Sequence, residues 1–406
     1  MTYLHRTLET VIDEASKRFK VVMISGMRQV GKSTLLQHKT SPDRRNVTLD
    51  STSRLMTAKN APELFLQQFP PPALIDEIQL APELFRPLKA KVDESGEKGQ
   101  YWITGSQRLS LMSHVTDKLP GRLISFDLMP LSIYEREGLG AVQKPYLPST
   151  DRLFKPILQR KNADETWKII WQGAWPEVIH DDSTSREWFF NSLIDLYISK
   201  DIAQLANVSK TLEFRSFLTA LAFLSGQELR LNTLAELSKV DTMTIRRWLS
   251  IAEASGIIYL LKSFDRNIGK QLVKSPKLYM TDTGLIAALL NIQTPEEMNR
   301  HSQAGHFYET FVVMEIIKSW VHNGKTPDIC FLRESRGMEV DLLIHSDGKY
   351  FPIEIKKGTN PHSSDAKWIL KLENLGIPIG VASIIAMPAE PYALSPDVIV
   401  HSIWDI

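Results

Sequence analysis

Residues 19–34 read FKVVMISGMRQVGKST, and the rest of the chain can be read outward from them. Phe19 to Ser25 is almost wholly apolar, the pattern of a strand buried on both faces of a parallel sheet. Gly26-Met27-Arg28-Gln29-Val30-Gly31-Lys32-Ser33-Thr34 then satisfies GxxxxGK[ST], between that strand and the helix-like TLLQH. Such a loop curls its backbone N–H groups around a β-phosphate. Lys32 would neutralise the β- and γ-oxygens, the Ser33 hydroxyl would ligate Mg²⁺, and the helix N-terminus would add its positive end. Gly26, Arg28, Gln29, Val30, Gly31, Lys32, Ser33 and Thr34 are therefore the candidate nucleotide contacts. A plain Gly turn with a solvated lysine would not explain both flanks.

Four more short apolar runs follow: NVTLD (46–50), ALIDEI (73–78), YWITGS (101–106) and ISFDLM (124–129). The gaps between them fit crossover helices, so an α/β parallel sheet is expected over residues 1 to about 140. The run at 73 ends in Asp76-Glu77, where one carboxylate would sit on magnesium and the next beside the attacking water. The run at 101 ends in Gly105-Ser106-Gln107, and Ser106 is a candidate for orienting that water; a strand-end cap is the bland alternative.

Length and composition set the outer bounds. At 406 residues, 43% hydrophobic and 23% charged, the chain predicts two or three folded domains. Lys plus Arg is 48 against 47 for Asp plus Glu, a net of +1, so any nucleic-acid contact must come from a local basic face. The single Cys330 cannot form an intramolecular disulfide, the N-terminus lacks an uninterrupted apolar core, and no run of 18 apolar residues exists. The expectation is a soluble cytoplasmic protein with no membrane partner.

PYLPST (145–150) marks a break, after which a helical connecting region is expected over 141–225. Residues 231–238 open a helix with a Thr or Asn cap, Val240-Asp241-Thr242 turns, and residues 243–254 form a second helix ending at Gly256. With the strand-like IIYLLKSF (257–264), this resembles a winged helix over 226–290. Its second helix would present Thr242, Thr244, Arg246, Arg247 and Trp248 to DNA, with Arg266, Lys270, Lys274 and Lys277 continuing the basic face. Docking of protein by the same helix is the alternative.

Residues 291–406 form the last unit. Glu339 to Ile344 alternates as a strand, His345 to Gly348 turns, and YFPIEIK (350–356) returns with Glu354 and Lys356 on one face. Asp341 with Glu354-x-Lys356 resembles the D…ExK arrangement of restriction-endonuclease-like folds, and Glu309 on the preceding helix stands where such folds carry a further acid. A second divalent metal held by Glu309, Asp341 and Glu354, with Lys356 as a non-ligand beside the scissile phosphate, is the sharp reading. An inert scaffold that keeps the fold is the other.

Nearly end to end, the sequence resembles the prokaryotic AAA+-like P-loop ATPases with a C-terminal domain of long-unassigned function. The resemblance rests on SGMRQVGKSTLL, ALIDEIQ, WITGSQRL, LPGRLISFDLMPLSIYE, GAWPEVI, YISKDIAQL, KSPKLYMTDTGLIAALL and the segment from FLRESRGMEVDLLI to IEIKKG. It implies an arginine finger at Gly121-Arg122, with Arg122 reaching the γ-phosphate of a neighbouring subunit in a ring and Arg108 as the rival. It also implies ATP and Mg²⁺ as cofactors. The expected activity is an ATP-hydrolysing motor or remodelling ATPase on duplex, branched or junction DNA. A slow nucleotide switch and an ATP-gated, metal-dependent nuclease are the alternatives.

Overall fold

The computed structural model describes residues 3–105, 119–153, 157–179, 183–196, 211–264, 275–333, 338–372 and 376–406. Five of the apolar runs become strands β1 (Val21–Ser25), β2 (Arg45–Thr48), β3 (Ala73–Asp76), β4 (Tyr101–Gly105) and β5 (Leu123–Asp127). They form one parallel sheet in the order β2-β3-β4-β1-β5. β1, β3 and β4 are buried at every position, which is why they read as continuous apolar runs rather than alternating ones. β1 sits between β4 and β5, with β3 beyond β4, so the phosphate loop and Asp76 emerge at the same end of the sheet.

A second unit is built from helices Thr211–Phe223, Leu231–Ser238 and Thr242–Ala254 and an antiparallel sheet of β6 (Gln227–Glu228), β7 (Ile258–Leu261) and β8 (Lys277–Met280), ordered β6-β8-β7. The expected Thr or Asn cap on the first of the paired helices is absent: Arg230 occupies that position without a side-chain bond. The second is capped by Asp241, which accepts from the N–H groups of Met243 and Thr244.

The C-terminal sheet comprises β9 (Ile329–Arg333), β10 (Glu339–Ser346), β11 (Lys349–Ile355), β12 (Ala382–Ala386), β13 (Tyr392–Ser395) and β14 (Val398–Ser402), ordered β13-β14-β12-β11-β10-β9. The β10–β11 hairpin turns at Asp347-Gly348, as its sequence indicates.

The helix Ala304–Val321 is buried around nearly its whole circumference, as expected of a helix enclosed on all sides. Its apolar residues join a core cluster that runs from Leu8 and Val22 of the first unit through Phe217 and Trp248 of the second to Ile353 and Trp404 of the third. A smaller cluster fills the opposite face of the parallel sheet. Among the described residues no helix is long and apolar enough to cross a membrane.

Candidate functional site

The loop after β1 is shaped by its glycines. Gly26 has φ +142°, and a Cβ there would lie 2.2 Å from the Leu128 carbonyl oxygen, so no other residue fits against the chain leaving β5. Gly31, at φ +95°, precedes the helix Lys32–Lys39 and lets the backbone turn into its first turn. Lys32 is buried and donates its Nζ to the carbonyls of Gly26 at 3.0 Å and Met27 at 2.7 Å, which holds the ammonium inside the loop. Ser33 and Thr34 follow at the helix start, and Gln29 takes a left-handed φ of 60°.

Across the loop, Ser33 Oγ donates to Asp76 Oδ1 at 2.7 Å. Thr104 Oγ1 donates to the same oxygen and in turn accepts from the Glu77 N–H at 3.0 Å. A hydroxyl and a carboxylate side by side are hard oxygen donors of the kind that magnesium takes together with phosphates and water. They are too few to hold a metal alone. Glu77 stands at φ 59°, a left-handed conformation that turns the chain sharply off β3, and its carboxylate accepts from Gln79 Nε2.

A cleft of about 750 Å³ opens over these groups. One wall is Arg28, Gln29, Gly31, Lys32, Ser33, Thr34 and Glu77, and the other is the mostly apolar set Tyr3, Leu4, Leu131, Pro176, Phe189, Leu193 and Leu196, with the Glu177 carboxylate among them. The polar wall suits phosphates and the apolar wall suits a flat base, a division typical of small-molecule sites. Trp175 Nε1 donates to the Arg28 carbonyl at 3.1 Å, which fixes the helical wall to the loop.

Arg6 also reaches this cleft, and no motif in the sequence points to it. The buried guanidinium donates Nη1 to the Val30 carbonyl at 2.8 Å and Nη2 to the Met129 carbonyl at 2.7 Å, with Nε 3.1 Å from Glu135 Oε1. Glu135 is fully buried. It accepts from the N–H groups of Thr7 and Ser132, and His322, just beyond the long helix, lies 3.1 Å from its Oε2. From the same helix Glu315 accepts from the Ile133 N–H, and Lys318 donates to the Leu131 carbonyl at 2.9 Å.

The remaining candidates divide. Ser106, Gln107, Arg108, Arg266, Lys270 and Lys274 lie outside the described residues. Arg122 is held within its own unit: Nε contacts Asp93 Oδ1 at 2.8 Å and Oδ2 at 3.1 Å, and Nη1 donates to the Pro120 carbonyl. Thr242, Arg246 and Arg247 are exposed on the helix Thr242–Ala254, while the Thr244 hydroxyl donates to Asp241 as part of the cap. Trp248 is not presented to solvent as expected. It is buried against Phe214 and Phe217, at ring separations of 5.0 and 5.4 Å, because it shares the inward face of its helix with Ile245 and Ala252.

Lys277 is likewise no part of a basic surface. It is 3% exposed and points into the C-terminal acids, with Nζ 3.0 Å from Glu309 Oε1, 3.0 Å from Glu339 Oε1 and 3.4 Å from Asp341 Oδ1. Glu354 is buried beside them with Oε2 3.1 Å from Lys356 Nζ, and burial followed by the neighbouring Asp341 pushes its carboxyl up to about 9. Among the described residues no three acidic, histidine or cysteine groups are arranged to hold a metal. Of the four expected nuclease-like residues, Glu309 and Asp341 thus meet around the Lys277 ammonium, and Glu354 sits beside Asp341 and pairs with Lys356.

Residues 18–137 match a family described as an AAA domain, and residues 163–296 and 304–405 match two families described as domains of unknown function, DUF8612 and DUF4143. Uncharacterized proteins of Mycobacterium tuberculosis and Mycobacterium bovis are each 28% identical over 353 residues, covering 86% of this chain and 73% of theirs. Among solved structures, a Walker-type ATPase of Pyrococcus abyssi aligns with a TM-score of 0.43 at 12% identity, over 71% of this chain and 96% of that one. AMPPCP-bound DnaA from Aquifex aeolicus aligns with a TM-score of 0.27 at 12% identity, over 61% of this chain and 85% of its own.

Proposed function

We propose that this chain, whose N-terminal unit is a P-loop ATPase domain of the AAA type, uses ATP hydrolysis to move its helical and C-terminal units on DNA. In this reading the triphosphate lies along Gly26 to Thr34, with Lys32 against the β- and γ-oxygens. Ser33 and Asp76 would hold magnesium, which supplies charge neutralisation on the phosphates. Glu77 orients the attacking water and accepts its proton, and Thr104 holds both acids in place by bonding to Asp76 and the Glu77 N–H. The base rests on Tyr3, Leu4, Phe189 and Leu193.

The observation that carries the reading is the composition of the cleft. Part of its apolar wall, Pro176, Phe189, Leu193 and Leu196, comes from the helical segment and faces the loop across the cleft, so in this reading a bound nucleotide would couple that segment to the loop. The order of helices and strands over 211–280 supports a winged-helix role for Thr242, Arg246 and Arg247 on a phosphate backbone. Self-association into a ring, with Arg122 acting across the interface, requires the Asp93 pair to open first.

That pair favours a second reading, a switch with slow basal hydrolysis, since an arginine held by Asp93 contributes nothing to a neighbour's γ-phosphate. ATP turnover measured with duplex, forked and junction DNA, with Lys32→Ala as the blank, separates the two. A motor shows turnover rising several-fold with one DNA form. Turnover indifferent to every form leaves only the switch.

A further inference from the structure

Consecutive residues of the helical segment lie against the phosphate loop. Trp175 Nε1 donates to the Arg28 carbonyl at 3.1 Å, Pro176 Cγ stands 3.9 Å from where a Cβ on Gly31 would be, and Glu177 lines the cleft. The strip is fixed from behind as well. The Ala174 N–H donates to Asp282 Oδ2 at 2.8 Å, and the Ala174 carbonyl accepts from the Leu131 N–H at 2.8 Å. Gly173, at φ +81°, lets the chain pass so close to Gly284 that a Cβ would lie 2.8 Å from its Cα. Residue 177 is therefore presented to the loop by a rigid backbone.

The Glu177 side chain plays no part in that packing. It is exposed, and among the described residues it has neither a hydrogen-bond nor an ion-pair partner. A carboxylate beside a triphosphate is repelled by it, so an acid on this wall suits only a part of the ligand that donates hydrogen bonds. A nucleotide offers the ribose hydroxyls and the N–H groups of its base. The base is matched by the apolar residues Tyr3, Leu4, Phe189 and Leu193, whereas Glu177 directly follows the proline that lies against Gly31. In a nucleotide laid along the loop, the sugar is the group next to the phosphates. Its vicinal hydroxyls can donate to both oxygens of one carboxylate in charge-assisted bonds, the use to which dinucleotide-binding folds put an acid at the ribose.

We propose that Glu177 reads the sugar of the bound nucleotide, accepting from its 2′- and 3′-hydroxyls, and so makes the cleft selective for ribonucleotides. The specificity residue then belongs to the helical segment and not to the phosphate loop. The inference rests on the cleft being the nucleotide site.

The test is calorimetric titration of the full chain, with Ca²⁺ in place of Mg²⁺ to slow turnover, in wild type, Glu177→Ala and Lys32→Ala. The probes are ATP, 2′,3′-dideoxyATP, which lacks both hydroxyls, and purine riboside triphosphate, which lacks only the amino group of the base. Hydrogen bonds to a charged acceptor lead us to expect wild type to bind ATP about tenfold more tightly than dideoxyATP, and Glu177→Ala to bind the two alike. Loss of the amino group should cost wild type and Glu177→Ala the same. If wild type does not discriminate, if Glu177→Ala keeps the discrimination, or if the effect of Glu177→Ala follows the amino group instead of the hydroxyls, the proposal is overturned and the nucleotide site stands. If wild type does not bind ATP, or Lys32→Ala binds it as tightly as wild type, both fall.

Discussion

Replacing Arg6 by methionine keeps an unbranched, flexible stem and removes the charge and all the donors beyond it. The Val30 and Met129 carbonyls lose bonds of 2.8 and 2.7 Å, and Glu135 loses the guanidinium at 3.1 Å while remaining fully buried. Removing one partner of a buried ion pair costs about 3–5 kcal/mol, and an orphaned buried acceptor costs about 1–3 kcal/mol. The losses share one site and do not add, so about 4 kcal/mol is expected, a large part of the roughly 5–15 kcal/mol that holds a domain folded. The assay is urea unfolding of wild type, Arg6→Met, Glu135→Gln and the double variant, scored at the first transition. Because the stranded carboxylate dominates the cost, Glu135→Gln in the Arg6→Met background should restore about 2 kcal/mol. ATP affinity should fall as well, since the Val30 carbonyl belongs to the phosphate loop. A loss under about 1 kcal/mol, or no coupling between the two substitutions, would refute the account of Arg6 as the counter-charge of Glu135.

Lys32→Ala should lower ATP affinity at least tenfold and abolish turnover, whereas Glu77→Gln should bind ATP normally and stall in single-turnover assays; undiminished turnover would remove Glu77 from the chemistry. If Arg122 acts between subunits, Arg122→Ala should bind ATP normally yet turn over slowly, and mixing it with Lys32→Ala chains should give activity that departs from the sum; strict monomers by light scattering with ATP would end that idea. Arg246→Ala with Arg247→Ala should flatten the slope of log affinity against log salt by about one unit per lost phosphate contact, and an unchanged slope would assign that helix to protein docking. Glu135 should also shape acid stability. Burial pushes its carboxyl up, but Arg6 and then His322 outweigh that and hold it well below the ordinary 4.5. The stability it contributes is thus complete above pH about 4.5 and is lost as pH falls toward the native value, so Glu135→Gln should flatten the acid limb of the unfolding midpoint against pH.

What the sequence disclosed follows how local each signal is. The phosphate loop and Asp76-Glu77 are contiguous motifs at strand ends, and the parallel sheet that sets them side by side is announced by its unbroken apolar runs. Arg6 and Thr104 bond to residues 24 and 28 positions away, respectively, and no spacing rule reaches that far. Trp248 was legible and misread: Ile245, Trp248, Leu249 and Ala252 make one inward helical stripe, and a count of that stripe places the indole in the core. Lys277 was not legible. A lysine at a strand end is solvated far more often than buried, and only the packing of β8 on the long helix reveals the acids it meets.

The long helix ends in Glu315, Lys318 and, just beyond it, His322, and these attach it to the strip from Met129 to Glu135 through charged and polar groups that water does not reach. Apolar seams between domains tolerate exchange, because one greasy surface replaces another at modest cost. A seam of buried charge does so less readily, since parting it strips buried ions of partners that lie across it. The stretch matching an AAA domain stops at residue 137, but the fold that stabilises it does not. Cut there, the fragment would keep its phosphate loop and Arg6, but lose His322 beside Glu135 and the Glu315 carboxylate that accepts from the Ile133 N–H. The ATPase unit and its C-terminal companion therefore share one ledger of buried charge, and detaching either exposes polar groups that the other now covers.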